Sequence, residues 1–235
     1  MFELDGEIRF SLIGNSIDSI NHAIDLLAYE KDVYEPSRYK RAILSISHSI
    51  ELLFKERLRI IHPSLMWENV DTYPDIGSRT VSIERSFLRL QKIGGLFFGE
   101  KDEQLVKSLK RIRNTIEHYS WSIKKEEADY IVGESLSFAI FFAENHLEEE
   151  IFGYQEIRHG RLQDLMASNI HFSQAYEYRN SKEYKAKLEK ATKCELCKSL
   201  LISIETQMCS KCGHYNHRSL ERTANFDSFD DDIPF

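Results

Sequence analysis

The sequence predicts an all-α protein: an antiparallel helical bundle that carries a small C-terminal zinc ribbon and a disordered acidic tail. Three observations lead there. Over the first 148 residues apolar side chains recur at spacings of three and four, without strand-like alternation before residue 195 and without an internal repeat. All four cysteines stand between 194 and 212 as two CxxC pairs, and the final stretch is small and acidic. A chain of 235 residues with 42% hydrophobic content suits one medium domain with appendages. The expected division is 1–148 for the bundle, 149–192 for a helical extension or connector, 193–217 for the ribbon and 218–235 for the tail.

The first helix is expected from about Arg9 to Tyr29, with Ile13, Ile17, Ile20, Ile24 and Leu27 on its buried face. After Pro36, with Ser37 as the candidate cap, a second helix turns Ile43, Ile46, Ile50, Leu53 and Ile61 inward and stops at Pro63. His62 to Arg79 holds two prolines, a glycine and a Trp and reads as an ordered loop. A shorter third helix aligns Ile83, Phe87, Leu90 and Ile93 and ends at Gly94-Gly95. The fourth begins near Asp102, and Leu105, Leu109, Ile112 and Ile116 form its apolar stripe. The fifth follows Ser122, with Ala128, Ile131, Ser135, Ala139, Phe142 and Ala143 inside; its small residues predict a close helix crossing. Beyond Glu148 the chain stays helical but polar, anchored by Ile151, Ile157, Leu162, Leu165 and Met166. From Tyr176 to Lys193 it reads as an extended helical connector whose lysines face solvent.

Charge and hydropathy narrow the function classes. A formal net charge of −7 argues against indiscriminate nucleic-acid binding, which rests on neutralising phosphates, so any RNA contact is expected to be local. The opening MFELDGE lacks the basic and apolar regions of a signal peptide, and the longest apolar run, Phe138 to Ala143, is far too short for a bilayer. The expectation is a soluble cytoplasmic protein without a membrane partner, where paired cysteines point to metal and not to disulfides.

The fourth helix closes on RNTIEH, Arg113 to His118. At about 100° per residue, Asn114 and His118 fall nearly opposite the apolar stripe and Arg113 sits at its border. That face is left for water, RNA or another subunit. An Arg, a polar residue, three further residues and a His at the end of a long helix resemble the signature of the HEPN superfamily (higher eukaryotes and prokaryotes nucleotide-binding). Ser45 to Leu58, SISHSIELLFKERL, is similar to that superfamily's earlier core helix, and the likeness spans roughly Ile17 to Leu147.

Metal-independent RNA cleavage needs a proton carrier and a cation beside the phosphate. Imidazoles titrate near neutral pH, so His118 can move protons, and the Arg113 fork can hold a phosphate. Asn114 can orient the imidazole or a phosphate oxygen, and Glu117 is spaced to hold Arg113 by an i, i+4 pair. Resemblance to HEPN ribonucleases implies an endoribonuclease that uses no catalytic metal, leaves 2′,3′-cyclic phosphate ends, and works as a homodimer whose two motifs meet in one cleft. It also implies supporting roles for Glu51 and Lys55, which share a face of the second helix; the alternative is a plain surface ion pair. His48 reads as a packed or exposed histidine, and Tyr119 and Trp121 as either base-stacking residues or a cap on the core.

Cys194, Cys197, Cys209 and Cys212 read CELC, eleven intervening residues, then CSKC before Gly213. That spacing fits four thiolates around one Zn²⁺, with SLLISIETQM as a short hairpin. Four protein ligands leave no open position, so the zinc is expected to be structural; iron also accepts four thiolates. His214, Tyr215, His217 and Arg218 are plausible contact residues beside it.

The tail, TANFDSFDDDIPF, ends in seven residues similar to the acidic tip of bacterial single-stranded-DNA-binding proteins. In that family the tip is a docking peptide, which implies recognition roles for Asp230, Asp231, Asp232, Ile233, Pro234 and Phe235. Such a tail recruits the protein to replication or repair enzymes, competes with the authentic tip, or folds back over the Arg113/His118 cleft as an acidic mimic of RNA. The functional expectation is a toxin-like ribonuclease of phage defence or of a toxin–antitoxin stress response. Its alternative is a non-catalytic adaptor dimer presenting two docking tails.

Overall fold

A computed structural model describes residues 9–30, 34–152 and 155–186 together with Leu196 and His214, residues 155–159 by their backbone alone. Cys194, Cys197, Cys209 and Cys212 and the tail residues singled out above lie outside these. Seven α-helices of eight residues or more make up the described fold: α1 Leu12–Ala28, α2 Glu35–Ile61, α3 Ile83–Lys92, α4 Glu100–His118, α5 Lys125–His146, α6 Gln155–Ser168 and α7 Ile170–Asn180. No strand occurs among the described residues, only one isolated bridge between Trp67 and Thr80. The chain is all-α, as its periodicity predicts.

Helix starts differ from expectation where the cap chemistry differs. Ser11 caps α1, its hydroxyl accepting from the Gly14 amide at 3.0 Å, so the helix begins after Arg9. α2 begins at Glu35 and takes Pro36 into its first turn, where proline's fixed φ is compatible and its missing N–H costs nothing. Ser37 is therefore helical and not the cap. α4 starts two residues before Asp102, whose carboxylate reaches back to accept from the Gly99 amide at 3.1 Å. α3 ends as predicted at the glycine pair, with Gly95 in the left-handed region at φ 65°.

The core forms around α2 and α5. Phe54 on α2 meets Phe87, Phe98, Phe138 and Phe142 at ring-centroid separations of 5.0 to 6.0 Å, offset or edge-on as the ring quadrupoles prefer. α5 is buried over most of its surface, including every inward residue predicted for it. Four expected core residues of the first three helices sit further out: Ile13, Ile17 and Ile61 are half-buried, and Ile93 is 44% exposed because the chain turns there to leave α3. The loop between α2 and α3 is ordered by hydrogen bonds. Arg89 donates to the carbonyls of Leu65, Trp67 and Glu68 at 2.6 to 2.8 Å, and the Trp67 indole donates to the Asp75 carbonyl at 2.6 Å.

Beyond Glu148 the chain folds back onto the bundle. Arg161 on α6 reaches Asn21 and Asp25 on α1, each at 3.0 Å. The start of α7 lies directly on α5 at Gly133, where a Cβ would come within 2.5 Å of the Phe172 amide nitrogen and 2.6 Å of Asn169 Oδ1. A close helix crossing is expected of α5, but this one is made at Gly133, which is not among the small residues of its predicted inward face. At the other end of α7, buried Arg179 pairs with Asp102 at 3.0 Å and Glu134 at 3.1 Å, and Tyr184 donates to the same Asp102 at 3.2 Å. Up to residue 186 the stretch expected as a connector is thus packed against the first five helices, because a buried arginine network holds it there.

Candidate functional site

The four stripe residues of α4 are buried, Leu109 completely and the others at 6 to 8% exposure, which turns RNTIEH as its periodicity requires. Arg113 and Asn114 are half-buried at the edge of the bundle; His118 is exposed in the last helical turn and Tyr119, the C-cap, is 76% exposed. The face predicted to be free of the core is free of it.

Arg113 lies between two carboxylates. Its Nε stands 3.3 Å from Glu117 one turn along α4, and a terminal nitrogen stands 3.8 Å from Glu51 across on α2. Glu51 in turn accepts from the Lys55 ammonium at 2.6 Å, and Lys55 also donates to the Thr80 hydroxyl at 2.9 Å. Five side chains from α2, α4 and the loop after α2 thereby meet in one cluster. Lys55 is only 8% exposed, so its contact with Glu51 is no plain surface pair. One guanidinium and one ammonium against two carboxylates make the cluster nearly neutral, and the long 3.8 Å separation leaves the fork of Arg113 geometrically available to an anion. His48, one turn before Glu51 on α2, is exposed.

The two aromatic residues after the motif behave differently. Tyr119 projects outward, whereas Trp121 is half-buried against the core and lines an open pocket of about 280 Å³ with Tyr39, Ile123 and Ala128. Tyr39 is locked by a hydrogen bond to Asp129, and burial, followed by that bond, pushes its phenol well above the ordinary range. Sequence reasoning misses Thr80, whose hydroxyl holds Lys55 across 25 positions. It misses the pocket as well, because no local pattern links Tyr39 to Trp121.

No family model, curated protein or solved structure matches the chain. What fold and cluster define is a class: an all-α protein with a paired Arg and an exposed His at the end of one helix. No described helix is long and apolar enough to cross a membrane.

Proposed function

We propose that this protein is a HEPN-type, metal-independent endoribonuclease acting as a homodimer. The observation that carries the reading is the cluster in which Glu117 and Glu51 hold Arg113, whose helix ends five residues later at exposed His118. In the reaction, the 2′-oxygen of a ribose attacks the adjacent phosphorus and the bond to the 5′-oxygen breaks. The products are a 2′,3′-cyclic phosphate and a 5′-hydroxyl. A neutral His118 accepts the proton of the 2′-hydroxyl, and the protonated His118 of a second copy returns one to the departing oxygen. Arg113 stabilises the charge that gathers on the phosphate, and Asn114 orients the imidazole or a phosphate oxygen. Glu117 and Glu51 aim the guanidinium, while Lys55 offsets the charge of Glu51. Because one Arg and one His make a thin site, the dimer doubles it.

The four cysteines bind a structural Zn²⁺ in this reading, and the ribbon contacts RNA or protein. The tail couples the enzyme to replication or repair proteins in the cytoplasm, in defence against phage or in a stress response.

The FDDDIPF tip favours a second reading, a non-catalytic adaptor dimer. Expression in bacteria separates the two. Loss of toxicity or of phage protection in Arg113→Ala and His118→Ala, with the tip intact, supports the enzyme. Loss only on removal of Phe235 supports the adaptor.

A further inference from the structure

The pocket beside Trp121 adjoins the motif without belonging to it. It lies where the N-terminal turns of α2 and α5 come together under the segment that joins α4 to α5. Its walls are apolar and partly aromatic, from Pro36, Tyr39, Trp121, Ile123 and Ala128. Its polar groups gather in one place: Glu35 and Lys125 pair across the two helix starts at 2.6 Å, 47% and 63% exposed, beside Ser122. Trp121 follows His118 by three residues, and three residues of fully extended chain reach at most about 11 Å. The pocket therefore adjoins the C-terminal end of the motif.

These features match one chemical class. A nucleobase has apolar faces that stack on aromatic and aliphatic side chains, and a polar edge that sets donors beside acceptors. A carboxylate next to an ammonium presents the complementary pair, since Glu35 keeps unused lone pairs and Lys125 unused N–H groups. The wall is also held in place beforehand, because Tyr39 is bonded to Asp129 and Ala128 is 1% exposed on the buried helix α5. A ligand there would meet a largely pre-formed site.

We propose that this pocket binds a nucleobase of the RNA strand flanking the phosphate held by Arg113, and that it sets the base preference of cleavage. The proposal rests on the ribonuclease reading for its substrate. Trp121 is the stacking wall, buried Tyr39 closes the pocket behind it, and Glu35 with Lys125 reads the base edge.

The test separates binding from cleavage. Full-length protein labelled with ¹⁵N shows one indole N–H signal from Trp121 and one from Trp67, the other tryptophan. Titration with AMP, GMP, CMP and UMP to millimolar concentration is expected to shift the Trp121 signal saturably for at least one of them and to leave Trp67 in place. Ribose 5-phosphate, which lacks a base, should move neither. Ser122→Trp, which fills the pocket from its exposed rim, should abolish the shift, while His118→Ala should keep it. In a cleavage assay Ser122→Trp should lose base preference at least tenfold while still cutting. No Trp121 shift with any nucleotide, or a shift equal for ribose 5-phosphate or unchanged by Ser122→Trp, overturns the pocket even if the wild type cleaves RNA. A specific shift in a protein that cuts no RNA leaves the base site standing and removes the ribonuclease reading.

Discussion

Arg113 and His118 differ in what supports them, and their variants should differ accordingly. Both lie at the rim of the bundle, so His118→Ala should leave the unfolding free energy within about 0.5 kcal/mol of wild type while lowering RNA cleavage by about 10²–10⁴-fold. Arg113→Lys keeps the charge but loses the fork that meets a phosphate in two places, and should fail nearly as badly. Glu51 is a different case. Removing it strips Lys55, 10% exposed at its side chain, of one of two partners, and Glu51→Ala should cost about 1–3 kcal/mol in urea unfolding. Lys55→Met should cost less, because Glu51 at 22% exposure can still reach water.

His146 supplies a pH dependence at the same scale. It is buried against Phe141 and Phe142 with its Nδ1 unpartnered, and burial, followed by the nearby Arg57 charge, pushes its pKa down from 6.5 to about 3. The unfolded chain takes up this proton below about pH 6.5, while the folded chain resists until about pH 3. Between those limits the unfolded state binds more protons, so His146 lowers stability as the pH falls, by about 1.4 kcal/mol per unit. Substituting His146→Phe should flatten that part of the acid-unfolding profile.

At the scale of elements, the contact between α5 and α7 is the most exposed to single changes. Gly133→Ala places a methyl against the backbone of α7, which cannot yield as a side chain would. A loss of about 1–3 kcal/mol is expected, together with faster amide exchange in α7 than in α2. This contact also marks what the sequence hides. Helices α1 to α5 are legible because spacing encodes their buried faces directly. α7 carries a stripe too, in Phe172, Ala175 and Arg179, but an arginine in the stripe reads as surface. Its partners Asp102 and Glu134 are 77 and 45 positions away, and only the folded chain brings them within reach.

Among the described residues the candidate chemistry lies on an exposed edge of a tightly packed bundle. The outward turn of RNTIEH is readable from helical periodicity alone, and so is the pairing of Arg113 with Glu117 four residues later. The approach of Glu51 is expected only through the resemblance to the HEPN superfamily. Thr80 and the aromatic pocket carry no local signal, since each joins segments far apart in the chain. In the proposed mechanism one copy supplies half of the site. Light scattering in solution should give a mass near twice 27.6 kDa, and a mass of one chain at micromolar concentration would count against a cleft built from two motifs.

Most direct is the chemistry of the cut ends. Purified protein incubated with transfer and messenger RNA in excess chelator, beside His118→Ala under the same conditions, should yield fragments whose masses correspond to 2′,3′-cyclic phosphate and 5′-hydroxyl termini. Those ends should come from the wild type and be nearly absent from the variant. Equal cleavage by both proteins, or intact RNA with wild type whether or not the last seven residues are present, would contradict the proposed nuclease and leave the acidic tip as the functional centre.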